Sequence, residues 1–140
     1  MTAAPQIVAE LQTLRAEVRQ LHGSLVAGSD GLVLAHDLAD LDPEGLAALT
    51  AAAVGLATRL TDATGRGGFE ESLTRGEQGY VAAYRAGRTA VVTAVAGEGT
   101  NVGRLQLCAR RTAGRIGALV DGVGPGDADT ATGGAAARDE

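Results

Sequence analysis

The chain has no lysine, no tryptophan and a single cysteine, and its aromatic side chains stop at Phe69, Tyr80 and Tyr84. One cysteine, Cys108, rules out an intramolecular disulfide and any cysteine-rich zinc site. Without lysine every basic residue is an arginine, and the few aromatics leave no basic stripe with stacking rings of the kind nucleic acids need. No run approaches the ~20 apolar residues that a membrane-spanning helix requires. The opening "MTAAPQIVAELQTLRAEV" carries charges every few residues and lacks the apolar core of a signal peptide. No nucleic-acid partner and no membrane insertion are expected, and the expected location is the cytoplasm.

What is present is small and aliphatic. Hydrophobic residues make up 45% of the 140, nearly all Ala, Val and Leu, beside 21 glycines. That suffices for one core, built by close approach of backbones rather than by large anchors. The net charge of −5 divides unevenly. Residues 121–140 hold five acids against one arginine, whereas residues 1–120 hold twelve against eleven. The expected organisation is a nearly neutral domain over residues 1–120 and a disordered, acidic, Gly/Ala-rich tail over 121–140.

Ile7, Leu11, Leu14, Val18 and Leu21 recur at steps of four and three, which predicts an amphipathic helix over residues 6–21 that ends at Gly23. The stretch "AGSDGLVLAHD" then raises a choice between a phosphate-binding loop and a hairpin. A phosphate loop needs Lys and Ser/Thr after its last glycine and then a helix. Here Gly31 is followed by Leu32-Val33-Leu34, so the reading is a hairpin turning through Gly28-Ser29-Asp30-Gly31. Asp42, Pro43 and Glu44 predict the start of a second helix, closed by Gly65. Leu46, Leu49, Ala53, Leu56 and Leu60 share one of its faces. Ala48, Ala51, Ala52 and Gly55 form another, small enough for a second helix or sheet to approach closely. Three strands follow, within Phe69–Arg75, Tyr80–Arg85 and Thr89–Val95, joined by two tight turns. A last helix starts at Thr100 or Asn101, with Arg104, Arg111 and Arg115 on one side. The order predicts an α+β fold with a five-stranded antiparallel sheet packed by helices.

No catalytic constellation assembles. His22 and His36 sit at element ends, Cys108 lies in a helix with apolar neighbours, and a nucleophile with its base cannot be paired. Glu70 and Glu71 are adjacent in a strand and so point to opposite faces. No clustered metal ligands occur, and no cofactor is expected.

The hairpin "GSLVAGSDGLVLAHDL", the helix "GLAALTAAAVGLATRL" and the segment "GYVAAYRAGRTAVVTAVAGEGTNVGRLQL" together resemble the bacterial Roadblock / dynein light chain seven family. Gly79-Tyr80 opens the strand pair and Asn101-Val102-Gly103-Arg104 leads into the last helix, so the resemblance spans residues 7–120. It implies a profilin-like sandwich of order α-β-β-α-β-β-β-α. It further implies a homodimer formed through the second helix and third strand, joining two sheets into one. The implied partners are a small Ras-like GTPase and, beside it, a sensor-kinase-like protein. The implied role is non-enzymatic: activating, exchange-helping or localising that GTPase. Ala48, Ala51, Ala52, Gly55, Phe69, Glu71 and Leu73 are then the expected dimer residues. Apart from the resemblance, the spacing of Arg104, Arg111 and Arg115 makes them the expected docking residues for an acidic partner or for the chain's own acidic tail. The competing expectation is a small-molecule-sensing or generic protein-interaction module in a multicomponent signalling complex.

Overall fold

A computed structural model describes residues 4–122. Most of the expected acidic tail, from residue 123 onward, lies outside the described residues. The first helix, α1 (Ala4–Glu17), buries Ile7, Leu11 and Leu14, the stripe visible in the sequence. It stops earlier than the periodicity predicts. Gln20, not Gly23, takes the left-handed conformation, with φ of 72°, and Leu21 already belongs to β1 (Leu21–Gly28). Arg15 stabilises this early reversal. Its Nε donates to Asp37 Oδ2 at 2.7 Å, and its Nη2 donates to the carbonyls of His22 and Asp37 at 3.0 Å each. Gly23 instead sits where β1 shifts register, and a Cβ there would lie 2.7 Å from Leu38 Cδ2.

The turn after β1 is the expected hairpin bend. Gly28 N–H donates to the Leu32 carbonyl at 2.9 Å, and Asp30 Oδ1 accepts from Leu32 N–H at 3.1 Å. Gly31 adopts φ of 90°, which a side chain would resist. β2 (Val33–Asp37) returns, and α2 (Pro43–Ala63) follows. Asp42 caps α2 by accepting from Glu44 N–H at 3.2 Å, with Pro43 at the first helical position. β3 (Glu71–Gly76), β4 (Gly79–Ala86) and β5 (Ala90–Gly97) form a meander, and α3 (Val102–Val120) completes the fold. Of the two candidate caps for α3, Asn101 is the one used, its Oδ1 accepting from Arg104 N–H at 3.0 Å.

The sheet has the order β2-β1-β5-β4-β3, and every neighbouring pair is antiparallel. Strand alternation divides the core into two layers. Val92, Ala94 and Ala96 of β5 meet α1 and α3 in the larger cluster. Val91 and Thr93 of the same strand face α2, where Thr93 Oγ1 donates to Thr50 Oγ1 at 3.3 Å. The α3 layer is closed by a backbone crossing: a Cβ on Gly117 would stand 2.3 Å from Gly87 N. Asp121, just past α3, accepts from Arg88 N–H at 3.3 Å and so ties the β4–β5 turn to the helix end.

Candidate functional site

Helix α2 has two apolar sides and only one of them is used by its own sheet. Ala47 and Thr50 are buried, and Val54 and Ala57 are half-buried against Phe69, Ala83 and Val91. These four recur at steps of three and four, a narrow stripe of small and β-branched residues. Leu46 is half-buried against Leu25 and Ala27, but the other three leucines point the other way. Leu49, Leu56 and Leu60 are 72%, 65% and 67% exposed, and Ala53 between them is exposed as well. Ala48, Ala52 and Gly55 flank this stripe on the exposed side, and nothing lies within 4 Å of the position a Gly55 Cβ would take. Ala51 is the exception in the expected small face, half-buried beside Gly31.

Next to this helix runs an open sheet edge. No strand among the described residues pairs with the outer side of β3. The Arg85 N–H donates to the Glu70 carbonyl at 2.9 Å, and the antiparallel ladder alternates from there. The backbone groups of Ser72 and Thr74 are therefore spent on β4, whereas those of Glu71, Leu73 and Arg75 point outward. Leu73 is 38% exposed. Phe69 differs from the other expected interface residues: at 6% exposure its ring fills the space under α2 and serves the protomer's own core.

The arginines of α3 are not a bare stripe. Arg104 Nε donates to the Glu17 carbonyl at 2.8 Å, closing the C-terminal end of α1. Arg115 Nε meets Glu10 Oε1 at 2.7 Å, a second tie between the same two helices. Of the three expected docking residues only Arg115 has an ionic partner among the described residues; Arg104 is held by a backbone carbonyl, and Arg111 reaches no oxygen, only Cys108 Sγ at 3.9 Å. The sequence reading missed Arg110, whose Nε and Nη2 grip Glu71 Oε1 and Oε2 at 2.8 and 2.7 Å. That fork of hydrogen bonds holds the Glu71 carboxyl below the usual carboxylate range. Glu70 takes a different cation, Arg85, at 3.7 Å, so the adjacent carboxylates do not share a site. Beneath them Tyr84 is buried with its hydroxyl unpartnered among the described residues. Burial, aided by the Glu71 charge, pushes its phenol up to about 12.

The Roadblock/LC7 domain model matches residues 7–96. The chain belongs to that family. A relative in Methanocaldococcus jannaschii, itself an uncharacterized protein, is 34% identical over 98 residues, covering 69% of this chain and 82% of that protein. Among solved structures, the gliding protein MglB from Thermus thermophilus shares the fold with a TM-score of 0.79 at 23% identity, over 88% of this chain and 94% of that one. An MglB in a tetrameric arrangement gives 0.79 at 24% identity, over 86% and 92%.

In this Roadblock domain the described residues hold no group of three or more His, Cys, Asp or Glu placed to bind a metal. No described helix is long and apolar enough to cross a membrane. Three grooves among the described residues are open depressions of about 360 Å³ beside Gln20 and Arg104, 380 Å³ beside Tyr80, and 450 Å³ between Glu71 and Gly114. Among the described residues, three of the four most exposed large hydrophobic side chains are the leucines of this stripe. Burying such a side chain is worth about 1.5–3 kcal/mol, against about 0–1 kcal/mol for a surface ion pair. One signal for it was present in the sequence: a second stripe, Thr50, Val54 and Ala57, was already sufficient to seat α2 on the sheet.

Proposed function

We propose that this Roadblock domain pairs with a second copy of itself and acts, without chemistry of its own, as a regulator or scaffold of a small Ras-like GTPase in a bacterial signalling system. The observation that carries the reading is the bare leucine stripe of α2 lying beside the open edge of β3. A helix face and an unpaired strand on one side of a domain are both satisfied by a two-fold copy, which extends the sheet and covers the leucines together. Family membership, and the fold held in common with MglB, support the GTPase as the partner. A sensor-kinase-like protein is a further proposed member of the assembly. The exposed face of α3, with Arg111 at its centre, is the proposed docking surface for the GTPase.

The test uses a purified small Ras-like GTPase. GTP hydrolysis and nucleotide release are measured with and without the Roadblock protein, in parallel with a binding assay in both nucleotide states. Faster hydrolysis marks activation, faster release marks exchange, and binding without either marks localisation. No complex at ~100 μM in either state overturns the proposal, since that already corresponds to weak affinity.

A further inference from the structure

We infer that two copies of β3 pair antiparallel in a single register, with Leu73 opposite the partner's Leu73 and Glu71 opposite the partner's Arg75. The inference rests on the homodimer proposed above and deepens it by naming what aligns the copies. Only the backbone groups of Glu71, Leu73 and Arg75 face outward, so these three must oppose one another across a two-fold seam. Slipping by one residue would leave those groups unpaired and turn the side chains to the wrong face.

Among the remaining registers, charge decides. With Leu73 on the partner's Leu73, both flanking positions bring Glu71 against Arg75, and Ser72 falls opposite Thr74. Sliding two residues one way sets Glu71 against Leu73, leaving both carboxylates facing an aliphatic side chain. Sliding two residues the other way sets Arg75 against Leu73 and brings Glu71 against Glu77. Sliding by four places Glu71 on Glu71, or Arg75 on Arg75. The stretch "ESLTR" is thus complementary to itself in one alignment and discordant in the rest. Arg75 is exposed and has no ionic partner among the described residues, so it is available. Glu71 already takes Arg110, but a carboxylate has lone pairs for a second guanidinium. The dimer would give each seam carboxylate two arginines, one from each copy.

Charge exchange tests this in the full chain. Arg75→Glu alone and Glu71→Arg alone each put two like-charge pairs into the homodimer. Sedimentation should show its dissociation constant raised by about tenfold or more for either variant. An equimolar mixture of the two should recover wild-type affinity, because every introduced charge then meets its opposite. Circular dichroism of each variant checks that loss of the Arg110 contact has not unfolded it. Cysteine cross-linking supplies an independent reading of the register. Directly opposed residues with outward backbone lie ~5.5 Å apart at Cα, within disulfide reach. Leu73→Cys should therefore oxidise to a covalent dimer, while Glu71→Cys should link only to Arg75→Cys. Cys108, fully buried, does not compete. Wild-type affinity in both charge variants, or cross-linking in another pattern, overturns the register. If the wild type then remains a dimer that Leu56→Asp dissociates, the homodimer survives and only the alignment fails. A wild type that is monomeric at ~100 μM removes both.

Discussion

Tyr84 shows what a single polar atom costs in an alanine-lined core. Its ring is 2% exposed between β4 and α3, yet its hydroxyl has no partner among the described residues. The charged form is disfavoured by burial, so the folded chain resists deprotonation up to about 12, above the ordinary value of 10.0. The unfolded chain gives up that proton first. Stability from this source is therefore complete below pH 10 and is lost as the pH climbs toward 12. The absence of lysine makes the window unusually clean, because no ammonium titrates across it. A melting-temperature series from pH 9 to 12 should fall, and Tyr84→Phe should flatten that fall while leaving the neutral-pH value equal or higher, since it removes an unsatisfied group. An unchanged alkaline slope in the variant would place the titration elsewhere. Gly117 is the opposite kind of residue, valuable for what it lacks. A methyl there would meet Gly87 N at 2.3 Å, backbone against backbone, with no flexible end to yield. Gly117→Ala should lower the melting temperature by several degrees, at a cost of about 1–3 kcal/mol for overpacking, and Gly114→Ala, which has open space, should not.

At the scale of the element, α2 carries the argument. Its inner face holds the sheet with small residues and one Thr50–Thr93 hydrogen bond, while its outer face keeps three leucines exposed. Leu56→Asp and Ala52→Arg both place a charge on that outer face. Each should convert a dimer to a monomer in light scattering without loss of helical circular dichroism, because neither side chain supports the protomer's own core. A dimer that persists in both would take α2 out of the interface. The element order, the hairpin bend at Gly28–Gly31, the Asp42 cap and the close of α2 at Gly65 were all legible from local chemistry. The end of α1 was not. Its apolar period runs on through Val18 and Leu21 into β1, and the residue that breaks it, Gln20, has no intrinsic preference for positive φ. The stop depends on Arg15 reaching Asp37, 22 residues away in sequence. The same limit applies to the arginines of α3. Spacing placed Arg104, Arg111 and Arg115 on one side, but only the packing of α1 against α3 shows that Glu17 and Glu10 occupy two of them. Side-chain partners across a fold are a tertiary property, and helical periodicity carries no information about them.

For the whole molecule, the two exposed features belong to opposite faces of one sheet. The α2 leucines lie on one face and the Leu73 side chain on the face that bears α3, with the open backbone of β3 between them. A copy related by a two-fold axis perpendicular to the sheet at that edge would close all three at once, giving a ten-stranded sheet with the α1 and α3 pairs on one side. In such an assembly the leucines supply most of the affinity and the Glu71–Arg75 pairs supply alignment, a division that follows from the magnitudes of the two effects. Folding and association are then linked: the dimer binds the folded chain and not the unfolded one, so the melting temperature must depend on protein concentration. For a domain of this size a ~100-fold increase in concentration should raise it by about 5 °C. Leu56→Asp should abolish that dependence and leave the melting temperature at the dilute wild-type value, whereas Arg75→Glu should shift the dependence to higher concentrations without removing it. A wild type whose melting temperature is flat across the series would mean that the folded protomer is the working unit, and that the leucine face is reserved for a different protein.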